Sequence, residues 1–363
     1  MDKNSNRSVN SNTRILLGAV LILLLMSSCT PETPLPTSTH TPTSEPLTTP
    51  TQTATLRPTS TPTLPPPGGE GNPISIGFIL QPEDIPATDA AEEIALLIEQ
   101  DTGFQVESAL YPDFQSLSAA VINSDVDFFW LEPLEYIYLN WEGAAQVVLL
   151  TNHLGVYAYG VQFMANVNRG FTSYFDPEAN ASFGDPITAL QQFSGTRPCF
   201  LEPSSIPGYI TPLGLLANTS TPTLDPVFTY DYQATVRALY IQGICDFGVS
   251  YALIGDPRTS STILQDIPQA QEDVVIIWQS DGIIPNTNLS ASPDLPLDIR
   301  HRLQEAFLDL PNTAEGLILL STALNYEVEA LKTIDDTFYN PLRAAIVPLE
   351  LDLQALTMQE TIQ

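Results

Sequence analysis

From Ile74 onward, short apolar runs alternate with segments whose apolar residues recur at helical spacing, and this alternation limits the fold more than any other feature of the chain. Residues 74–80 form a β-rich run, and in residues 90–100 Ile94, Leu97 and Ile98 share a helix face before Gly103 stops it. The unit then repeats. Residues 104–110 read as a strand, Phe114, Leu117 and Val121 mark a helix face, and residues 126–131 are again a buried strand. A helix from Pro133 to Trp141 carries Leu134, Ile137 and Tyr138 inward, and residues 147–150 complete a fourth strand. Strands separated by helices predict an α/β fold with a mainly parallel sheet covered on both faces and ligands at the loops leaving the strands' carboxyl ends.

Residues 156–167 form a long extended candidate, after which the pattern restarts. A helix at 186–193, a strand ending before Glu202, a helix reaching Ala217, a short strand at 227–230, a helix at 232–242 and strands at 246–251 and 273–279 make a second unit. The remainder reads as helices over 296–309, 312–324 and 335–345. With 363 residues there is room for two lobes plus tails.

The first residues are a targeting segment. Lys3, Arg7 and Arg14 precede an apolar core at 15–26 that is too short to span a bilayer comfortably, and Ser27 and Ser28 lead into Cys29. Leu25 to Cys29 resembles a bacterial lipobox, which makes residues 1–29 a lipoprotein signal and Cys29 the lipidated first residue; the alternative is an ordinary cleaved signal. Thr, Pro and Ser dominate the stretch that follows, so residues 30–72 are expected to be a disordered tether, able to reach on the order of 100 Å if polyproline-like. Twelve basic against 42 acidic residues, a net charge of -30 and a single lysine, Lys332, beyond Lys3 argue against nucleic acid as a partner. Acidity of this kind keeps an exported protein soluble. Cys199 and Cys245 remain, and in an oxidising setting such a pair favours a disulfide over two free thiols. Two cysteines without neighbouring histidines fall short of a metal-ligand set, and no nucleophile elbow, phosphate-binding glycine loop or zinc motif occurs, so neither enzyme nor cofactor is expected.

The stretch at 198–217, PCFLEPSSIPGYITPLGLLA, joins a strand, a hydroxyl-bearing turn and a helix start. Such a junction directs unpaired backbone N–H groups and a partial positive charge to one point, where an anion or oxygen ligand can sit.

EPSSIPGY at 202–209, followed by YDYQATVRALYIQGICDFGVSY and VVIIWQSDGIIP, resembles the phosphate, phosphite and phosphonate substrate-binding proteins of ABC importers; DFQSLSAAVINSDVDFFWLEPLEYI matches the same family earlier in the chain. The resemblance spans residues 74–310. It implies a type 2 periplasmic-binding fold of two α/β lobes closing on a ligand, with lobe 1 at 73–160 and 255–363 and lobe 2 inserted at 161–254. The family's D-P-x-S-T-S-G-Y loop falls on residues 202–209. Ser204, Ser205 and Tyr209 are retained, whereas Ile206 and Pro207 replace two hydroxyl residues and Pro207 also lacks an N–H. Tyr232 and Gln233 stand where the family has a histidine and an acid, and Glu132 stands where it usually has glycine before proline. Phe114, Tyr159, Gln162, Tyr251 and Ser280 fall on positions that commonly line the family's cleft. The resemblance implies an extracytoplasmic, lipid-anchored monomer that binds a small polar molecule and delivers it to ABC permease subunits; the alternative is a sensing or interaction lipoprotein that keeps the fold without transport.

Overall fold

The computed structural model describes residues 65–358. Cys29, the targeting segment and most of the expected tether lie outside them. Residues 65–72 do not continue a tether: Asn72 Nδ2 donates to the Pro65 carbonyl, Gly68 N–H to the Asn72 carbonyl and Gln105 N–H to the Gly68 carbonyl, which pins this turn to the body.

The strand and helix alternation appears as read. β1 (Ile74–Ile79) leads to the helix Ile85–Thr102, which starts at Asp84, whose side chain accepts from Ala87 N–H, and stops at Gly103 in a left-handed conformation. β2 (Val106–Tyr111), β3 (Phe128–Leu131) and β4 (Gln146–Asn152) follow, separated by the helices Phe114–Ile122 and Pro133–Trp141. β5 (Ala158–Asn166) then opens a second sheet. A small ribbon, β6 (Phe175–Asp176) with β7 (Ala181–Ser182), precedes β8 (Pro198–Phe200), β9 (Val227–Phe228), β10 (Phe247–Ala252) and β11 (Val274–Gln279). The chain returns through β12 (Ile284–Pro285) to β13 (Asn288–Ala291) and, after two helices, β14 (Ala330–Thr333).

The first sheet has the order β14-β4-β13-β3-β1-β2 and the second β11-β5-β10-β8-β9. The expectation of mainly parallel sheets holds for strand direction but not for every ladder. β1 pairs in parallel with β2 and β3, and β8 in parallel with β9 and β10; β13 and β5, however, each lie antiparallel to both of their main neighbours. The reason is topological. Each of these strands arrives directly after a crossing between the sheets and enters its new sheet from the opposite end.

The two crossings run side by side, with Tyr159 opposite Ile284 and Ala158 opposite Pro285. Ser280 holds them together: its Oγ accepts the Val161 N–H at 2.9 Å and donates to the Asp281 carbonyl at 2.8 Å. Gly160 is needed there, because a Cβ would come within 2.7 Å of the Ser280 carbonyl oxygen. Asn286 fixes the first crossing by donating from Nδ2 to the carbonyls of Thr151 (3.1 Å) and Val156 (2.8 Å). β11 belongs to the second sheet, so the expected return to the first lobe at residue 255 occurs only after Gln279.

Three apolar clusters hold the molecule. One lies on the outer face of the first sheet, around Ile76, Ile94, Leu303 and Phe307, and one surrounds the Cys199–Cys245 disulfide, whose Cα atoms are 5.6 Å apart. The third joins Leu117 and Ile137 of the first lobe to Phe163, Phe193 and Phe247 of the second through Tyr339, Leu342 and Ile346. The C-terminal segment is therefore a strap over both lobes, and the expectation that it belongs wholly to lobe 1 is corrected. Arg343 Nη2 donates to Asn140 Oδ1 (2.9 Å) on the first lobe, and Asn218 Nδ2 of the second donates to the Ala344 carbonyl (2.9 Å).

Candidate functional site

At the carboxyl end of β3 the chain turns into a helix at Pro133, a residue suited to a first helical position because it has no N–H to satisfy. Glu132 precedes it. Its Oε1 accepts a hydrogen bond from Thr287 Oγ1 at 2.8 Å, and Glu135 reaches back so that its Oε2 accepts the Glu132 N–H at 2.7 Å. Glu132 keeps contact with solvent, yet the protein crowds it enough that burial raises its pKa. Burial, and then the neighbouring Glu132 charge, push the Glu135 carboxyl up to about 8.

Tyr159 stands on β5 where the chain crosses between lobes. Burial raises its hydroxyl pKa well above the usual value, with further contributions from Glu132, Tyr232 and Tyr326. Phenols from both lobes and the Glu132 carboxylate therefore lie within electrostatic reach of one another. Tyr326 also feels Glu132, after burial, and stacks on His153 with ring centroids 4.3 Å apart. On the second lobe, Tyr251 lies opposite Val161 in the β10 and β5 ladder, which puts it on the same face of the sheet as Tyr159. Its ring meets Tyr232 edge to face at 4.9 Å. Tyr232 opens the helix Tyr232–Ile241, and burial pushes its hydroxyl up to about 12.

The loop at 201–205 forms this lobe's contribution from the end of β8. Ser205 caps the turn that follows: its Oγ accepts the Gly208 N–H at 3.0 Å, and its carbonyl accepts the N–H groups of Tyr209 and Ile210, each at 3.0 Å. The Tyr232 hydroxyl sits against Ser205. The N–H groups of Ser205, Gly208, Tyr209 and Ile210 are thus bonded within the loop, that of Ser205 to the Glu202 carbonyl at 3.1 Å. Ser204 is exposed on the same loop.

Glu132 lies at the end of β3, Tyr159 and Tyr251 share one sheet face with Tyr232 packed on Tyr251, Ser205 lies against Tyr232, and Ser204 is exposed on the same loop. Four other sequence candidates are packed or hydrogen-bonded within the protein. Phe114 is buried and meets Tyr138 edge to face at 6.2 Å. Gln162 is buried, and its Nε2 donates to Ser250 Oγ at 2.9 Å. Ser280 is the clamp between the crossings described above. Tyr209 packs between Phe200 (5.2 Å) and Phe228 (5.6 Å). Sequence reasoning missed Thr287, which lies in a polar stretch without periodicity, and Tyr326, which reads as the tail of a helix.

The charge of this surface departs from that of an anion seat. Two unit charges about 5 Å apart interact by roughly 3 kcal/mol at an effective dielectric near 20, so each negative charge brought beside an ionised Glu132 carries a penalty of that order. Nothing in the described residues groups three or more His, Cys, Asp or Glu side chains as a metal site.

Residues 76–339 match the family described as ABC transporter, phosphonate, periplasmic substrate-binding protein. The chain belongs to this family. Its members are substrate-binding components of transport systems and not enzymes. The phosphate-import protein PhnD of Mycolicibacterium smegmatis is a family relative 22% identical over 224 residues, which is 58% of this chain and 63% of that protein, so the chain spans less than two thirds of that relative's length. XAC2383 of Xanthomonas citri, bound to ATP, shares the family chain's fold with a TM-score of 0.53 at 13% identity, over 78% of this chain and 97% of that one. The same protein bound to chloride ion gives 0.51 at 14% identity, over 78% and 98%.

Proposed function

We propose that this chain is an extracytoplasmic solute-binding protein of an ABC importer, which captures a small polar ligand between its two lobes and presents it to permease subunits. The observation that carries this reading is an arrangement at the crossing: Glu132 of the first lobe is bonded to Thr287 beside the returning strand, Tyr232 of the second packs on Tyr251, and Tyr159 shares the sheet face of Tyr251 on the strand that joins the lobes. A ligand touching Glu132, Tyr159 and Tyr232 contacts both lobes at the hinge and so favours the closed arrangement. On this reading the first lobe comprises residues 73–157 and 286–335, the second 158–285, and the strap from 336 lies across both.

Phosphonates, by the family's description, are one ligand class to test, and phosphate, by the relative's name, is another. A ligand bound only by the folded state raises the melting temperature by mass action, and closure shortens the radius of gyration. Thermal-shift screening over anions, cations and neutral polyols, followed by small-angle scattering on each hit, tests the reading. At least one compound is expected to raise the melting temperature and compact the protein; no effect from any class overturns the proposal. Lipidation at Cys29, which the lipobox-like residues Leu25 to Cys29 suggest, belongs to this reading. The Cys29→Ser variant is expected to leave the membrane fraction, and its retention there would remove the anchor.

A further inference from the structure

We propose that the cleft selects a small organic ammonium ion, with Glu132 as counter-charge and the rings of Tyr159, Tyr232 and Tyr251 as walls. The inference rests on the solute-binding reading and specifies its ligand.

Three features carry it. The first is the carboxylate itself: Thr287 orients Glu132 at 2.8 Å from a residue beside the hinge, and the side chain stays open to solvent. The second is the wall. Tyr232 and Tyr251 meet edge to face at 4.9 Å, and Tyr251 and Tyr159 share one face of the β10 and β5 pair. Aromatic faces attract ammonium groups through the ring quadrupole, more so where water is excluded.

The third is where most of the cations of the described residues are; of the others, Arg302 lies over the Phe104 ring (5.0 Å) and Arg197 is exposed. Arg169 pairs with Asp246, Arg237 with Asp266, Arg258 with Asp256 and Arg343 with Asp336, while Arg300 donates to the carbonyls of Ser292, Pro293 and Leu295. The lysine of this part, Lys332, has its ammonium over the rings of Tyr157 (4.2 Å) and Phe338 (4.3 Å), the same contact that the proposal assigns to the ligand. An oxyanion at this site would rely on neutral hydroxyl and backbone N–H donors rather than on these charges.

Binding an ammonium ion favours the ionised form of Glu132, so affinity tightens as pH rises. The titratable groups that face Glu132 are Glu135 on its own helix, Tyr159 from the crossing strand, Tyr326 before β14 and Tyr339 from the strap, with His153 stacked on Tyr326.

The test is calorimetric titration of the purified mature protein with tetramethylammonium, ethylammonium, methylphosphonate and inorganic phosphate between pH 6 and 9. At least one ammonium probe is expected to bind, to bind more tightly at pH 9 than at pH 6, and to lose tenfold or more in affinity in Glu132→Gln. Circular dichroism of that variant establishes that it is folded, and Tyr251→Leu, which removes a ring and no charge, is expected to weaken the ammonium probe as well. Tighter binding of methylphosphonate or phosphate than of either ammonium ion overturns the inference and leaves the solute-binding reading intact. Failure of both ammonium probes also overturns it, whatever the anions do; the broader reading falls only if the whole screen described above gives no closure.

Discussion

Ser205 turns its hydroxyl inward. Because its Oγ accepts the Gly208 N–H, truncation acts first on folding: Ser205→Ala is expected to cost about 1 kcal/mol, the usual loss of a helix-capping oxygen, measured by urea unfolding. An unchanged midpoint would show that the cap is not needed. The acid pair at the other lobe gives a pH signature. A carboxyl raised from 4.5 to about 8 holds a proton in the folded state that the unfolded chain has released, so its contribution is favourable at low pH and is lost as pH rises from about 4.5 through 8. Glu135→Gln is therefore expected to melt a few degrees above the wild type at pH 9 and to show no such advantage at pH 5. Part of this site was legible in the sequence. Glu132, Tyr159, Tyr232 and Tyr251 came from positions in a family pattern, and Phe114, Gln162, Ser280 and Tyr209 occupy the same pattern while packing or hydrogen-bonding within the protein. Residue type and position do not tell which way a side chain turns, and a hydroxyl such as that of Ser280 serves a backbone amide as readily as a ligand.

Among the elements, the disulfide links the start of β8 to the residues just before β10, closing a separation of 46 residues. In the chain-entropy account a loop of that size contributes on the order of 4 kcal/mol. Replacing both cysteines by alanine is expected to lower the melting temperature by several degrees while the cleft residues keep their places, and a melting curve that does not move would count against that contribution. The first four strands and their helices were readable because periods of 2 and 3.6 are plain in them. β13 was not. Its sequence, NLSA, has two polar residues among four, yet all four are buried between β3 and β4. They are tolerated there because Asn288 Nδ2 donates to the Leu131 carbonyl at 2.9 Å and Ser290 Oγ to Asn288 Oδ1 at 2.7 Å. β14 contains Lys332, whose charge disguises a strand on the sheet's edge.

For the whole molecule, the two-lobed plan was evident from the repeated pattern, but the destination of the last helices was not. Leu342 and Ile346 announce a buried helix face and say nothing about which lobe buries it. The strap's closest approach is at Gly214, where a Cβ would fall 1.9 Å from the Ala345 carbonyl oxygen. Since a backbone atom cannot yield as a side chain can, Gly214→Ala is expected to cost roughly 2 kcal/mol or more, or to lift the strap and expand the protein in small-angle scattering. Unchanged stability and dimensions would mean that this packing is loose. The family match ends at residue 339, so the strap's last helices lie beyond it. A substitution that alters how they pack on both lobes is expected to change the fraction of molecules competent to bind. A binding-competent fraction set by strap packing scales the apparent dissociation constant of every ligand by one common factor, so the strap can adjust how strongly the protein holds its guest without altering which guest it prefers.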